Sequence, residues 1–383
     1  MEQEYRISIG YKIFYGIGVA ALAGFGVFLL SKISSSNNVT GGIIISIVLF
    51  AVAGLFSLYI LKRRVVVSNE QLIVSGTFGT KQAFINDVKG VRTNGKAVFI
   101  HLVNGGKITI NDYDAIGKSD ELSEWLKSNL RDLDNEDYEE EKAVILQDSD
   151  LGFTQEEREV KLKTKARIAL AYSGVTLVIM VISVFYHQRN MLFSTLLFFF
   201  PLIGIAIVAT SKGLIRLYSK RSSAYPSVML GIFFACAALI LQAVLDNKIL
   251  DFNKVWTPVI IVAVVMVAIL SLIVSKQPNQ AFKNEILPIL LISAAFSFGS
   301  VMYINRNLDR SKPEIFSTTV TNQYIKSGKN TTYHIVITGW GTHTEEDDIT
   351  VSSNFYDHVP VGTKVNVNLM SGKLHIPWYY ITQ

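Results

Sequence analysis

The sequence predicts a helical membrane protein: seven transmembrane helices, a cytoplasmic β-sheet-plus-helix domain, and a small all-β extracytoplasmic domain at the C-terminal end. Three observations predict it. Residues 13–30, 43–61, 168–186, 191–210, 228–245, 255–274 and 286–304 are apolar runs without a single charge, and a helix of about 20 such residues spans the hydrocarbon. Half of the 383 residues are hydrophobic and only 17% are charged, against about 25% in soluble domains. The stretches 62–133 and 313–383 read as short strands separated by glycine, asparagine and proline turns.

In chain order, residues 1–61 are expected to form a transmembrane helix pair. The first run follows Glu2, Glu4, Arg6 and Lys12 and lacks a clear small-residue cleavage pattern, so it is expected to be a retained helix rather than a signal peptide. Gly16, Ala20 and Gly24 form a ridge of small residues that permits close helix approach and a homo-oligomer. Residues 166–304 hold the remaining five runs, joined by short loops. With the N-terminus in the cytoplasm, 15 lysines and arginines flank the runs inside and 7 outside. This bias puts residues 62–167 in the cytoplasm and residues 305–383 outside. Trp256, Tyr186, Tyr225 and Tyr303 lie near run ends, where interfacial aromatics concentrate.

The net charge of +5 derives largely from those flanks, so nucleic acid is not an expected partner; the lipid bilayer is. The single cysteine, Cys236, excludes an intramolecular disulfide.

Within residues 62–133, strands are expected at 64–68, 71–75, 81–92, 97–103 and 107–111, with turn signals at Asn94-Gly95 and Asn104-Gly105-Gly106. Ser119 is placed to cap a helix whose Leu122, Trp125, Leu126, Leu130 and Leu133 form one apolar stripe. The segments Arg64-Val65-Val66-Val67-Ser68-Asn69 and Phe84-Ile85-Asn86-Asp87-Val88-Lys89-Gly90-Val91, with the closing helix at Trp125, resemble the bacterial pleckstrin-homology-like domain. The resemblance covers about a fifth of the chain. It implies an interaction scaffold. Phosphoinositide binding, which eukaryotic relatives achieve with bases in the first hairpin loop, is not expected, because that loop, taken as Ser68-Asn69-Glu70-Gln71, carries no base. Lys62, Arg63 and Arg64 are candidate membrane-surface contacts, although anchoring of the helix end is the simpler and preferred explanation.

Residues 134–165 are expected to be a linker. The acidic stretch 132–141 reads as a flexible spacer of self-repelling charge, and Thr154-Gln155-Glu156-Glu157 as a capping box opening a basic helix that continues into the membrane.

In residues 313–383, strands are expected at 315–321, 332–338, 349–353, 364–369 and 379–382, forming a small barrel or sandwich. Gly372-Lys373-Leu374-His375-Ile376-Pro377-Trp378-Tyr379 resembles the glycine-rich, Pro-Trp-Tyr terminus of small outer β units on bacterial membrane proteins, with His375 where a second glycine is usual. His334, His343, His358 and His375 lack the spacing of a zinc motif, and Glu345 to Asp348 read as an exposed acidic turn. No metal or other cofactor is expected.

No phosphate loop, dinucleotide fingerprint or activated nucleophile occurs, so no enzyme is expected. No Asp, Glu, Lys, Arg or His lies within the runs, where ion-coupled carriers place them. Ser173, Thr176, Ser183, Gln242, Ser293, Ser297 and Ser300 are among the polar residues in the runs, and Gln242, Ser293 and Ser297 are the candidate intramembrane polar path. The expected function is a scaffold in a bacterial inner membrane with protein partners on both sides. The alternative is a transporter or channel component for an uncharged solute.

Overall fold

The computed structural model describes residues 2–32, 39–185, 191–246, 248–278, 282–327 and 331–383. The chain divides into two compact units, Met1–Val144 with Arg221–Ala224, and Ile145–Lys220 with Tyr225–Gln383.

The first unit begins with a strand that the apolar runs had hidden. β1 (Gln3–Arg6) precedes the long helices α1 (Ile9–Lys32) and α2 (Val39–Lys62), and then pairs antiparallel with β2 (Arg64–Val67). The helix pair is therefore an insertion within a β-hairpin. β3 (Gln71–Gly76) and β4 (Gly79–Phe84) complete a sheet of order β1-β2-β3-β4, while β5 (Val88–Asn94), β6 (Ala97–Leu102) and β7 (Lys107–Ile110) form a second, three-stranded sheet. The strand expected over 81–92 is thus two strands in different sheets, broken by a 3-10 turn at Ile85–Asp87. Strand alternation supplies the core: Tyr5, Val65, Val67, Leu72 and Val74 of one sheet meet Ile100, Ile108 and Ile110 of the other.

Helix α3 (Ser119–Asn129) closes this core with Leu122 and Leu126. Ser119 is its first helical residue rather than its cap; Lys118, in the left-handed region, occupies the cap position without a side-chain hydrogen bond. The acidic stretch is not a flexible spacer but part of α4 (Leu133–Gln147). Its repulsion is relieved by specific cations. Arg92 lies 2.8 Å from both Asp134 and Asp137, and Arg131 lies 2.8 Å from Glu136. Asp132 Oδ1 accepts from the amides of Asp134 and Asn135, capping the first turn.

The second unit opens with α5 (Gln155–Phe185), whose first turn accepts the expected cap: the Glu157 amide donates to Thr154 Oγ1. It continues through α6 (Met191–Thr210), α7 (Met229–Asp246), a short β8 (Lys248–Ile249), α8 (Asn253–Ser275) and α9 (Ile286–Asn307). Among the described residues, six helices (α1, α2, α5, α6, α8 and α9) are long and apolar enough to cross a membrane. α7 has 18 residues, about 27 Å at 1.5 Å per residue, and falls short of that length. It is nevertheless central to the helix packing, with Ile232, Ala235, Cys236 and Leu239 all buried. Tyr172 of α5 keys into a slot between Gly204 of α6 and Gly231 of α7, where any Cβ would collide with its ring, and its hydroxyl donates to the Phe200 carbonyl at 2.8 Å.

The α6–α7 connection is folded rather than a simple charged flank. Arg216 is buried with its guanidinium 3.5 Å from the centroid of Tyr225, itself buried.

After α9 come β9 (Glu314–Lys326), β10 (Thr332–Ile337), β11 (Asp347–Val351), α10 (Ser353–His358), β12 (Lys364–Met370) and β13 (Trp378–Thr382). They form an antiparallel half-barrel of order β11-β10-β9-β12-β13-β8. β9 serves both halves, pairing with β12 through residues 314–319 and with β10 through residues 320–326. Asp347 and Asp348 open β11 instead of forming a free turn: Tyr379 donates to Asp347, and Tyr324 and His334 engage Asp348.

Candidate functional site: a cleft between helix ends and the half-barrel

The last turn of α9 anchors the loop before β13. Asn305 is fully buried; its Nδ2 donates to the Ile376 carbonyl at 2.9 Å, its Oδ1 accepts from the Leu374 amide at 3.0 Å, and its backbone carbonyl accepts from Lys373 at 2.9 Å. Four residues on, Asp309 Oδ2 accepts from the Gly372 amide at 2.9 Å and from Trp378 Nε1 at 3.0 Å, and Oδ1 accepts from the Ser311 amide at 2.8 Å. Burial alone would raise the Asp309 carboxyl, but these donors outweigh it and hold the group below its ordinary value. The loop needs Gly372 at φ +77°, against Asn305, and places His375 at φ +59°. A left-handed position is where glycine is the usual residue.

This anchorage leaves a cleft of about 290 Å³ between the first residues of α6, the last turns of α7 and α9, and β13. Met191, Leu239, Ala243 and Met302 form an apolar side; Ser194, Gln242, Tyr303, Asn307 and Arg306 supply polar groups, and Trp378 and Tyr380 form the wall on the half-barrel. The Arg306 guanidinium lies 5.5 Å from the Trp378 centroid, and the Tyr303 hydroxyl is 2.7 Å from Thr195 Oγ1. The cleft has the amphiphilic character of a small-molecule pocket, but no nucleophile beside a base.

Of the three residues expected to line an intramembrane path, the structure brings only Gln242 to the cleft. Ser293 and Ser297 are buried within the helix packing of α9, where Ser297 donates to the Ser293 carbonyl. Lys62, Arg63 and Arg64 differ in exposure. Arg63 is buried and donates to the Asn111 carbonyl at 2.8 Å, while Lys62 and Arg64 are exposed. A Cβ on Gly16 or Gly24 would meet nothing within 4 Å, whereas one on Gly26 would lie against Phe50 of α2. Among the described residues no three His, Cys, Asp or Glu side chains gather as a metal site.

Arg306, Tyr303 and Trp378 were the functional candidates that sequence patterning did not select. The available signal was a basic residue in the last turn of an apolar helix, which also has an ordinary anchoring explanation. Neither a protein-family model, nor a curated protein, nor a solved structure matches the chain.

Proposed function

We propose that the protein is a non-enzymatic scaffold of a bacterial inner membrane, holding protein partners through a pleckstrin-homology-like cytoplasmic unit and an outer β half-barrel. The observation that carries this reading is the insertion of α1 and α2 between β1 and β2. It ties the four-stranded sheet to the membrane helices at two adjacent strands, β1 and β2. Two sheets of four and three strands closed by one helix are consistent with the pleckstrin-homology-like resemblance.

The topology in this reading has seven crossings, with the N-terminus cytoplasmic and the C-terminus outside. Support for α7 as a crossing comes from its two ends. Its C-terminal turn meets the start of α6 in the cleft, whereas the segment preceding it packs Gly213 against Pro278, just beyond α8. Both contacts are those expected of a helix that crosses beside α6 and α8.

The hydroxyls of the membrane helices favour a scaffold over a carrier. Thr176 donates to the Tyr172 carbonyl, Ser183 to Met180 and Ser300 to Ser297, each satisfied inside its own helix. Gln242 in the cleft and the buried Ser293 Oγ, which has no hydrogen-bond partner among the described residues, favour the alternative, a transporter or channel component for an uncharged solute.

Proximity labelling from tags inserted at Glu139 and at Gln383 tests the scaffold. Reproducible partners that vanish when the tagged module is deleted are expected. Their absence, combined with solute flux that is lost in Gln242→Leu, would replace the scaffold with the carrier.

A further inference from the structure

A second pocket, of about 390 Å³, lies in the first unit where the membrane helices join the sheet. It is lined by Arg6, Leu61, Lys62, Arg64, Ser75 and Thr80, with Gly76 and Gly79 at its rim. Its depth in the bilayer follows from chain continuity. β1 ends at Arg6 and α1 starts at Ile9; α2 ends at Lys62 and β2 starts at Arg64. A pocket containing the last residues of a membrane-crossing helix sits at the level of the lipid phosphates.

Charge supplies the second argument. Arg6, Arg64, Ser75 and Thr80 are successive register partners across all four strands, so they form one row on one face of the sheet. Like charges directly opposite one another are destabilising, and Lys62 adds a third cation. Among the described residues, Glu4 is shared between the two arginines, 3.0 Å from Arg6 Nε and 3.7 Å from Arg64 Nη1. Paired guanidiniums beside two hydroxyls, Ser75 Oγ and Thr80 Oγ1 at 3.1 Å, suit a phosphate oxygen set. A Cβ on Gly79 would meet nothing, which leaves the rim open.

The third argument is Phe78. It stands 91% exposed in the β3–β4 turn, beyond the Gly76–Gly79 pair and therefore at the end of the sheet from which the helices leave. An aromatic ring there belongs in the membrane interface.

We propose that this pocket binds the phosphate of an anionic phospholipid, with Phe78 seated in the interface beside it. The proposal goes beyond the scaffold reading and is tested separately from it.

Full-length protein in nanodiscs of mixed phosphatidylcholine and phosphatidylglycerol, analysed by native mass spectrometry, reads which lipids are retained. Retained lipid is expected to be enriched in phosphatidylglycerol, with the enrichment falling about fivefold for each arginine removed in Arg6→Gln and Arg64→Gln. The Lys89→Gln, Lys127→Gln pair, which removes equal charge away from the pocket, is expected to keep it. Unchanged enrichment in the arginine variants, or equal loss in the lysine pair, overturns the proposal. Should the double arginine variant fail to fold, Ser75→Ala with Thr80→Ala, which leaves charge intact, is expected to reduce enrichment several-fold, and no reduction counts against the site. Inorganic phosphate added as competitor separates the sources: displacement at millimolar level without any lipid preference would assign the pocket to a free anion. Phe78→Trp is expected to be quenched by brominated lipid; quenching by aqueous iodide alone would overturn the interfacial placement.

Discussion

Asn305 and Gly372 lie in contact across the junction of α9 and the half-barrel, the buried amide of one occupying the space that a side chain on the other would need. Asn305→Ala would strand the Ile376 carbonyl and the Leu374 amide, at a cost of about 3 kcal/mol in all. Gly372→Ala would add left-handed strain to a collision. Both variants are expected to make the C-terminal strands protease-sensitive and to lower the melting temperature in detergent, while the first unit retains its own stability.

The Asp309 carboxylate gives this junction a pH dependence. Its folded value is depressed relative to the ordinary 3.8, so its contribution is complete above about pH 4 and is lost as pH falls through the lower folded value. Trp378 fluorescence is expected to report loosening in that acidic window. Asp309→Asn should abolish the transition and weaken the junction at neutral pH by about 1.5 kcal/mol.

Tyr172 fills the slot between Gly204 and Gly231. Gly231→Ala is expected to separate α5 from α7 and to destabilise the bundle by about 2 kcal/mol, since overpacking forces backbone shifts. Tyr172→Phe keeps the ring but loses one hydrogen bond, for about 0.6 kcal/mol. Steric trapping or thermal unfolding in micelles would distinguish the two by magnitude.

Arg92 holds the first turns of α4 through Asp134 and Asp137. Arg92→Ala is expected to release residues 133–141 while leaving α3 in place, at a partly screened cost of about 1 kcal/mol. Hydrogen exchange should accelerate in α4 only; equal acceleration in α3 would show that the clasp supports the whole unit.

The strands of the half-barrel were legible because each alternates between turn residues, and six of the seven apolar runs coincide with helices long and apolar enough to cross a membrane. β1 was obscured because four residues before an apolar run resemble a charged flank; only the inward Tyr5 marks it. That omission displaced the first hairpin, whose connection is the helix pair and not Ser68-Asn69-Glu70-Gln71. The α4 error had a different origin. Net charge suggested repulsion, but the cations that neutralise it lie at Arg92, some forty residues upstream, and at Arg131. The cleft was equally non-local, since Gln242, Arg306 and Trp378 come from three separate elements.

The hairpin insertion also orders events during synthesis. β1 emerges from the ribosome before α1, yet its partner β2 follows only after α2. The four-stranded sheet therefore cannot close until both helices have been handed to the bilayer. Until then Tyr5 lacks its register partner Val65, so burial of the core it belongs to waits on α2.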